Sequence, residues 1–172
     1  TQDDLSQDAV VSLNANQAHY LRNVMRFGTG ETIALFNGCD GEWRGRIESL
    51  GKNRGAVRVE SQLRQQTDEP DLWLLFAPLK RARLDMVVQK AVELGVSRLQ
   101  PIITERTNMA RINRDRLTAN VIEATEQCER LTIPDVRPPL PLFDALEDWP
   151  EGRRLWVCAE TGASTPIGTA LT

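Results

Sequence analysis

A cluster of basic residues precedes an apolar-faced segment in the middle of the chain. Lys80, Arg81 and Arg83 open the stretch KRARLDMVVQKAVELGVSRLQP, in which apolar residues recur at helical spacing as far as Gly95. Cations at a helix N-terminus oppose the helix macrodipole and cost about 0.3–1 kcal/mol each when exposed. A purely structural helix start favours Asp or Glu at these positions. The cluster therefore predicts contact with an anion, and phosphate is the commonest candidate.

The charge of this region differs from that of the whole chain. Residues 80–116 contain nine Lys or Arg and four Asp or Glu, whereas the 172-residue chain has a net charge of −3. A net negative charge argues against a general nucleic-acid binder, but an average can hide a local basic patch. Two explanations stay open from charge alone: a solvated helix face, or a surface that meets a nucleic acid or a nucleotide.

The sequence around the basic cluster predicts a strand–helix–strand unit. Residues 72–77 form a continuous apolar run, as in a strand covered on both faces, and residues 98–103 read as the next strand. The helix between them is expected to begin just after Arg83 and to end at Gly95, which occupies a C-cap position.

A second helix and a third strand are expected to follow. Asn113 is placed to cap a helix, and residues 155–159 read as a strand. Strands that alternate with helices predict a parallel sheet, in which ligands bind at the carboxyl ends of the strands. The basic cluster would lie at that edge. The predicted apolar side of the second helix consists of Leu117, Val121, Ala124, Thr125 and Cys128.

The first 67 residues follow a different pattern, that of a small β-barrel domain. Short segments of alternating polar and apolar residues are separated by glycine-rich turns, with one helix from Asn14 or Asn16 to Arg26. The polar residues 62–71 read as the linker to the α/β part. The strands are predicted at residues 10–13, 31–36, 42–47 and 56–60.

Several classes of site and compartment are disfavoured by composition. Cys39, Cys128 and Cys158 form no C-x-x-C pair, so neither a disulfide framework nor a metal site is expected, and a reducing cytoplasm is the simplest compartment. No apolar run approaches the roughly 18 residues of a membrane span, and residues 1–5 do not resemble a signal peptide. His19 is the only histidine, and we expect it to contact RNA or to be structural rather than to act as a base.

Three stretches together resemble a known family. They are KRARLDMVVQKAVELGVSRLQPIITERTNM (residues 80–109), IEATEQCERLTIPDVRPPL (residues 122–140) and HYLRNVMRFGTGETIALFNGCDGE (residues 19–42). The combination is similar to the 16S ribosomal RNA (uracil-N3)-methyltransferases of the SPOUT class, and the third stretch resembles their N-terminal PUA-like barrel. The resemblance covers nearly the whole chain.

The resemblance implies a fold and an activity. The expected fold is α/β with an N-terminal β-barrel: a PUA-like RNA-binding barrel at residues 1–67, then a SPOUT trefoil-knot domain at residues 72–172. The implied protein is a cytoplasmic homodimer that transfers a methyl group from S-adenosylmethionine to N3 of one uridine in the 16S rRNA of the small ribosomal subunit.

The candidate site residues fall into three groups. Arg83 and Arg106 are the candidates for favouring the anionic form of the uracil, by charge pairing. The loop after the predicted third strand is the expected piece of the methyl-donor pocket and consists of Glu160, Thr161, Gly162 and Ala163. The expected RNA-binding residues are His19, Arg22, Arg26, Lys80, Arg81 and Arg83.

The segment Glu126-Gln-Cys-Glu-Arg130 has two open interpretations. Arg130 could cap a helix end while Cys128 packs in the core. The family resemblance instead puts Gln127 and Arg130 near a dimer or active-site face.

One departure from the family bears on activity. The Gly-Pro-Glu-Gly-Gly loop and the later Leu-Gly-x-Arg-x-Leu-Arg segment of that family do not occur in these 172 residues. The resemblance therefore implies that the remainder of the methyl-donor pocket lies downstream of Thr172. We expect an incomplete SPOUT domain, part of a longer chain, that is inactive by itself and binds S-adenosylmethionine poorly.

Two alternatives to a methyltransferase remain open from the sequence. One is a non-catalytic RNA-binding or ribosome assembly protein, built from the barrel and a helical platform. The other is an α/β enzyme for a small molecule, which would hold a nucleotide phosphate in its basic loop. A nucleotide enzyme would need a phosphate-binding glycine loop, and these 172 residues contain none.

Overall fold

The chain folds into two separate sheets, each with its own apolar core. The computed structural model describes residues 3–107, 112–147, 149–159, 162 and 164–170. The first sheet is antiparallel and the second is built from parallel pairs. Within these ranges, none of the helices combines the length and the apolar character that a bilayer crossing requires.

The N-terminal sheet has four strands in the order β1-β4-β3-β2, with every neighbouring pair antiparallel. Alternating residues point inward because successive side chains of a strand lie on opposite faces. Ile47, Val57 and Val59 are fully buried by this alternation. The predicted hairpin is confirmed, whereas closure into a barrel stays a prediction. The strands are β1 (Val10–Leu13), β2 (Thr32–Phe36), β3 (Glu42–Leu50) and β4 (Gly55–Arg64).

The predicted N-terminal helix is present, but it changes its winding and ends early. Helix α1 (Ala15–His19) begins after Asn14, which forms a reciprocal capping box with Gln17. The chain then widens into a π-helical turn at Tyr20–Val24, so the expectation of a helix as far as Arg26 was wrong by two residues. Arg26 itself has a φ of 59°, a left-handed conformation that ends the helical path.

The expected linker starts later than predicted. Strand β4 continues to Arg64, four residues beyond the predicted strand end, because it stays paired with the long strand β3. Polar side chains do not prevent this pairing, since it is made by backbone groups at an exposed part of the sheet. Residues 65–72 then lead into the second sheet.

The second sheet confirms the strand–helix–strand unit. Strand β5 (Trp73–Phe76) pairs in parallel with β6 (Arg98–Ile103), and helices α2 (Arg81–Glu93) and α3 (Arg114–Gln127) pack against each other. Asn113 caps α3 through a hydrogen bond from the Arg116 N–H to its side chain, as predicted. The shared core contains Phe76, Leu84, Val88, Ala91, Val92, Leu99, Leu117, Val121, Ala124 and Val136.

Two boundaries in this sheet correct the sequence-based expectations. Helix α2 begins at Arg81 with Lys80 as its N-cap, so Arg83 lies inside the first turn and not before it. Residues 155–159 form no strand, and Leu155, Trp156 and Val157 are exposed by 45%, 46% and 77%. An apolar run alone cannot distinguish a buried strand from an unpaired segment, because the partner strand is set by tertiary contacts.

The positions beside β6 are instead taken by two very short strands. Both β7 (Asp135–Val136) and β8 (Leu140–Pro141) pair in parallel with β6. They carry no periodic signal, since each is two residues long. Helix α4 (Leu142–Glu147) follows β8 and packs against it, and α5 (Ile167–Ala170) is the last described element.

Trp73 joins the start of β5 to the segment after α4. The guanidinium groups of Arg98 and Arg153 lie 3.8 and 3.7 Å from its ring centroid, and Trp149 meets it edge-on at 5.8 Å. Cation–π contacts of this kind contribute about 0.5–1 kcal/mol at exposed sites. Trp73 and Trp149 therefore have a packing role.

Arg130 is a buried charge that ties three segments together. Its guanidinium donates to the carbonyl oxygens of Val92 and Val96 at 2.7 and 3.1 Å, and it forms an ion pair with Glu69. The Arg130 and Glu69 side chains are only 10% and 20% exposed. Arg130 thus satisfies carbonyl groups at the C-terminal end of α2, the end opposite the basic cluster. It caps a helix, as one of the two interpretations held, but the helix is α2 and not its own.

Replacement of Gly95 tests the end of α2. Gly95 has a φ of 87° at the position after the C-cap, and a side chain there would meet no atom within 4 Å. Gly95→Val should lower the free energy of unfolding by about 1–2 kcal/mol through backbone strain alone. Urea denaturation measures the change. Gly168→Val is the control, because its φ is not positive and its surroundings are also open. Equal loss in both variants would contradict the assignment of strain to Gly95.

Replacement of Arg130 tests the buried ion pair. Arg130→Met should lower the free energy of unfolding by about 3 kcal/mol, because it leaves the Glu69 carboxylate buried without its partner. The control is Arg46→Met on β3, whose ion pair with Glu60 has side chains that are 50% and 31% exposed. That exposed pair should contribute less than about 1 kcal/mol. Similar urea midpoints for the two variants would mean that burial of the Arg130 pair adds nothing to stability.

Candidate functional site

The basic cluster lies at the start of α2, exposed and without internal partners. Lys80 is the N-cap but makes no side-chain capping bond, and the first turn contains no acidic residue. The side chains of Lys80, Arg81 and Arg83 make no hydrogen bond or ion pair with the described part of the chain. The first backbone N–H groups of a helix also lack intrahelical partners. Positive charge and free donors therefore coincide at this helix end.

Parallel pairing places a second predicted residue at the same edge of the sheet. Phe76 near the end of β5 is in register with Pro101 of β6, so the loops after both strands leave the sheet on one side. Arg106 lies in the turn after β6, exposed, where the Thr107 hydroxyl accepts from the Thr104 N–H at 2.8 Å. Arg83 and Arg106 thus share the carboxyl edge, although no contact joins them.

A cavity of about 340 Å³ adjoins the cluster, between the N-terminal ends of α2 and α3. Leu84 and Leu117 give it an apolar floor, and its rim is polar. Asp85 accepts a hydrogen bond from the Asn120 amide at 2.7 Å and forms an ion pair with Arg116. An apolar floor with a few polar groups at the rim is the usual composition of a small-ligand pocket, and Arg81 of the basic cluster lines this one.

The sequence-based analysis missed Asp85, Arg116 and Asn120. Arg116 and Asn120 are four residues apart, a spacing that places them on one face of α3. This spacing was the available signal. Their partner Asp85 is 31 residues away from Arg116 on another helix, and only the packing of the two helices brings them together.

A second basic group lies on the N-terminal domain. His19 ends α1, Arg22 lies in the π-helical turn and Arg26 follows it, and all three side chains are exposed. The side-chain amide of Asn23 lies 2.8 Å from Nδ1 of His19. No hydrogen bond or ion pair among the described residues joins this group to the cluster on α2. The predicted RNA-binding residues therefore fall into two groups, one in each domain, with no direct bond between them.

The turn at residues 37–41 is held by hydrogen bonds within the first domain and faces the loop after α3 across a cavity. Asp40 accepts hydrogen bonds from the Leu5 N–H at 2.9 Å and from the Asn37 amide at 2.6 Å. These two donors hold the pKa of the Asp40 carboxyl below its ordinary value. A second cavity, of about 360 Å³, lies between this turn and the loop after α3, where Arg130 and Ile133 line it.

Of the predicted methyl-donor loop, only Gly162 lies within the described residues. Glu160, Thr161 and Ala163 lie outside the described residues. Gly162 is exposed, with a φ of 100° and open space around its α-carbon. Thr172, downstream of which the remainder of the pocket was expected, also lies outside the described residues. The assignment of the loop to the donor pocket, and of the remainder to later residues, therefore stays a prediction.

Two further expectations concern the end of α3 and metal binding. Gln127 is exposed at the end of α3, and its expected place at a dimer or active-site face stays a prediction. No group of three or more His, Cys, Asp or Glu within the described ranges is arranged to hold a metal ion.

Comparison with known sequences matches both halves of the chain. Residues 67–171 match the RNA methyltransferase domain family, and residues 13–60 match the RNA methyltransferase PUA domain family. The chain is 35% identical over 144 residues to the ribosomal RNA small subunit methyltransferase E of Rickettsia conorii, covering 83% of this chain and 59% of the relative. It is 28% identical over 163 residues to the protein of that name from Synechocystis, covering 93% and 53%. The chain thus spans less than two thirds of the length of these relatives.

Solved structures give the same result for the fold. A ribosomal RNA small subunit methyltransferase E from Neisseria gonorrhoeae, bound to S-adenosyl methionine, superposes with a TM-score of 0.76 at 31% identity, covering 88% of this chain and 65% of that one. A putative methyltransferase from Legionella pneumophila, in complex with the bound cofactor SAM, gives a TM-score of 0.79 at 30% identity, covering 89% and 66%.

The family assignment rests on extent as well as similarity. The methyltransferase match alone covers residues 67–171 of the 172, more than half of the chain, and the PUA match covers most of the first sheet. The resemblance drawn from the motifs is confirmed at this level. The chain belongs to the RNA methyltransferase family.

Proposed function

We propose that this protein transfers a methyl group from S-adenosylmethionine to N3 of a uridine in the 16S rRNA of the small ribosomal subunit. The observation that carries the proposal is the family match over residues 67–171, together with the S-adenosyl methionine bound to the Neisseria relative. The exposed cations at the start of α2 add support, because an RNA substrate brings phosphates to any surface that it contacts.

The proposal divides the work between two domains. Residues 1–67 form a PUA-like barrel that binds RNA, and residues 72–172 belong to a SPOUT trefoil-knot domain that is incomplete within these residues. Two separate apolar cores support this division. The proposed protein acts in the cytoplasm as a homodimer and uses no metal ion.

In this proposal the carboxyl edge of the second sheet holds the uracil. S-adenosylmethionine supplies a methyl group carried on a sulfonium cation. N3 of uracil must lose its proton to become nucleophilic; the proton passes to solvent, and a nearby positive charge favours the anion. Arg83 and Arg106 lie at this edge, exposed and without a carboxylate partner among the described residues. Their role is to stabilise the deprotonated ring. The target base leaves its stack to reach them.

The methyl donor is assigned to the loop that contains Glu160, Thr161, Gly162 and Ala163. Gly162 fits this role, since a left-handed backbone with open space beside its α-carbon lets a ligand approach the main chain closely. The loop would bind and orient the donor, and alignment of donor and acceptor is the main catalytic task in such a transfer. The remaining walls of the pocket are assigned to residues downstream of Thr172, and the greater length of the relatives supports this assignment.

Methyl transfer itself is the primary test. The full-length protein, with the residues that this proposal assigns downstream of Thr172, is incubated with small ribosomal subunits and methyl-labelled S-adenosylmethionine, and label in 16S rRNA is counted. A methyl group on N3 blocks Watson–Crick pairing, so reverse transcription should stop one nucleotide before the modified uridine. We expect label and a single new stop. RNA binding without label would favour a non-catalytic ribosome assembly protein.

The role of the basic cluster predicts a change in salt dependence. Replacing both Arg81 and Arg83 by Ala should weaken binding to 16S rRNA and reduce the slope of log K against log salt by about one unit per lost phosphate contact. Filter binding over a salt series measures the slope.

The matched control removes two exposed cations of the second domain that lie away from the start of α2. Lys90 lies in the last turn of α2, and Arg154 follows Arg153, which lies over Trp73 at the start of β5. Lys90→Ala with Arg154→Ala changes the net charge by the same amount. An equal change of slope in both double variants would attribute the effect to net charge and remove the specific role of the α2 cluster.

A further inference from the structure

His19 and Asn23 form a hydrogen-bonded pair on the exposed face of the helical segment in the N-terminal domain. Nδ2 of Asn23 lies 2.8 Å from Nδ1 of His19, and both side chains are exposed. Arg22 and Arg26 belong to the same exposed segment, Arg22 within the π-helical turn and Arg26 two residues after it. Neither acidic side chains nor other hydrogen bonds to the His19 ring occur among the described residues of this segment.

The orientation of the Asn23 amide, with its nitrogen toward Nδ1, assigns the proton of the neutral imidazole. An amide nitrogen can only donate, so Nδ1 of His19 accepts and, in the neutral ring, the proton resides on Nε2. Nε2 has no partner among the described residues. In that tautomer the Nε2–H of His19 is an exposed donor, in the same segment as Arg22 and Arg26.

The backbone of the segment that carries His19 and Asn23 has two unusual features, a π-helical turn and a left-handed residue. The Met25 N–H donates to the Tyr20 carbonyl at 3.0 Å across the π-helical turn, and Arg26 follows with a φ of 59°. Single π-turns occur often at functional sites, and a non-glycine residue in the left-handed region is disfavoured by the approach of its Cβ to the following carbonyl oxygen. Both features lower the stability of this exposed segment, and both determine where its side chains lie.

We propose that Asn23 is a positioning residue, which holds His19 as an Nε2–H donor to an oxygen of the bound RNA. The inference rests on the proposed function, that the chain binds rRNA through this domain. Arg22 and Arg26 contribute charge to phosphates, whereas His19 contributes one neutral hydrogen bond. Loss of the His19 contact therefore lowers affinity without changing the number of counterions released.

The proton position is measurable in the free protein. Because the chain contains one histidine, long-range ¹H–¹⁵N correlation spectra report on His19 alone. At about pH 8.5, once the spectrum itself reports a neutral ring, it should show the Nε2–H tautomer. Asn23→Ala should give a mixture of both tautomers, and Asn16→Ala, an exposed Asn on α1, should leave the spectrum unchanged. An Nδ1–H tautomer in the wild-type protein would overturn the proposal.

A second variant guards against local unfolding in Asn23→Ala. Asn23→Asp preserves the shape of the side chain, but a carboxylate only accepts, so the proton of neutral His19 should move to Nδ1. A thermal melt and far-ultraviolet circular dichroism verify that each variant retains its helical content. A tautomer that stays on Nε2 in Asn23→Asp would mean that residue 23 does not control the ring.

RNA binding at about pH 8.5 tests the consequence. Asn23→Ala should bind 16S rRNA about 2- to 10-fold more weakly, the range of one neutral hydrogen bond, with an unchanged salt slope. His19→Gln should retain most of the affinity, since its amide nitrogen reaches the position of Nε2, whereas His19→Ala should not. Arg22→Ala should instead reduce the salt slope.

The outcomes separate this inference from the proposed function. Weaker binding by His19→Ala with full affinity in Asn23→Ala would overturn the positioning role and leave the RNA contact in place. Wild-type affinity in both His19→Ala and Arg22→Ala would remove this face from the RNA interface and overturn the inference, while methyl transfer to 16S rRNA could still be observed. Absence of both methyl transfer and RNA binding in the wild-type protein would overturn the proposed function as well.

Discussion

Parallel pairing of β5 with β6 is the constraint on which the candidate site depends. Two adjacent parallel strands require the chain to return from one end of the sheet to the other, and here α2 makes that return. The helix must therefore begin at the carboxyl edge of the sheet. Burial of Val88, Val92 and Leu99 in one core holds α2 against β6 and keeps its positive end at that edge. The cations of the first turn add to a field that the fold already creates.

Some exposed cations of the described chain form ion pairs, and others do not. On the first sheet, Arg46, Arg58 and Arg64 each pair with a glutamate of the neighbouring strand, which neutralises the exposed sheet surface. At the start of α2, Lys80 and Arg81 form no ion pair with a carboxylate of the described chain. Exposed ion pairs contribute little to stability. The difference between the two surfaces therefore matters mainly because unpaired cations attract an anion more strongly than paired ones do.

At the C-terminal end of α2, the negative end of the helix dipole meets a cation from the protein itself. Carbonyl groups at a helix C-terminus attract a cation, and Arg130 supplies it from the segment after α3. Its partner Glu69 comes from the chain between the two sheets. A sequence motif shared with a family of enzymes thus has a structural task in this chain. The N-terminal end of α2 has no side-chain cap in the described chain, whereas Arg130 supplies a cation at the C-terminal end.

Local signals determined the parts of this protein that depend on a few neighbouring residues. The Asn14 and Asn113 caps, the end of α2 at Gly95 and the hairpin of β2 with β3 follow from capping, backbone conformation and alternation, and so does the presence of cations at a helix start. Tertiary structure alone decided which segment lies beside β6, because residues 135–136 gain a partner there whereas residues 155–159, more strand-like in sequence, do not. It also joined Asp85 to α3 across the helix interface. Such choices depend on contacts between residues far apart in the chain, and no local pattern encodes the free energy of those contacts.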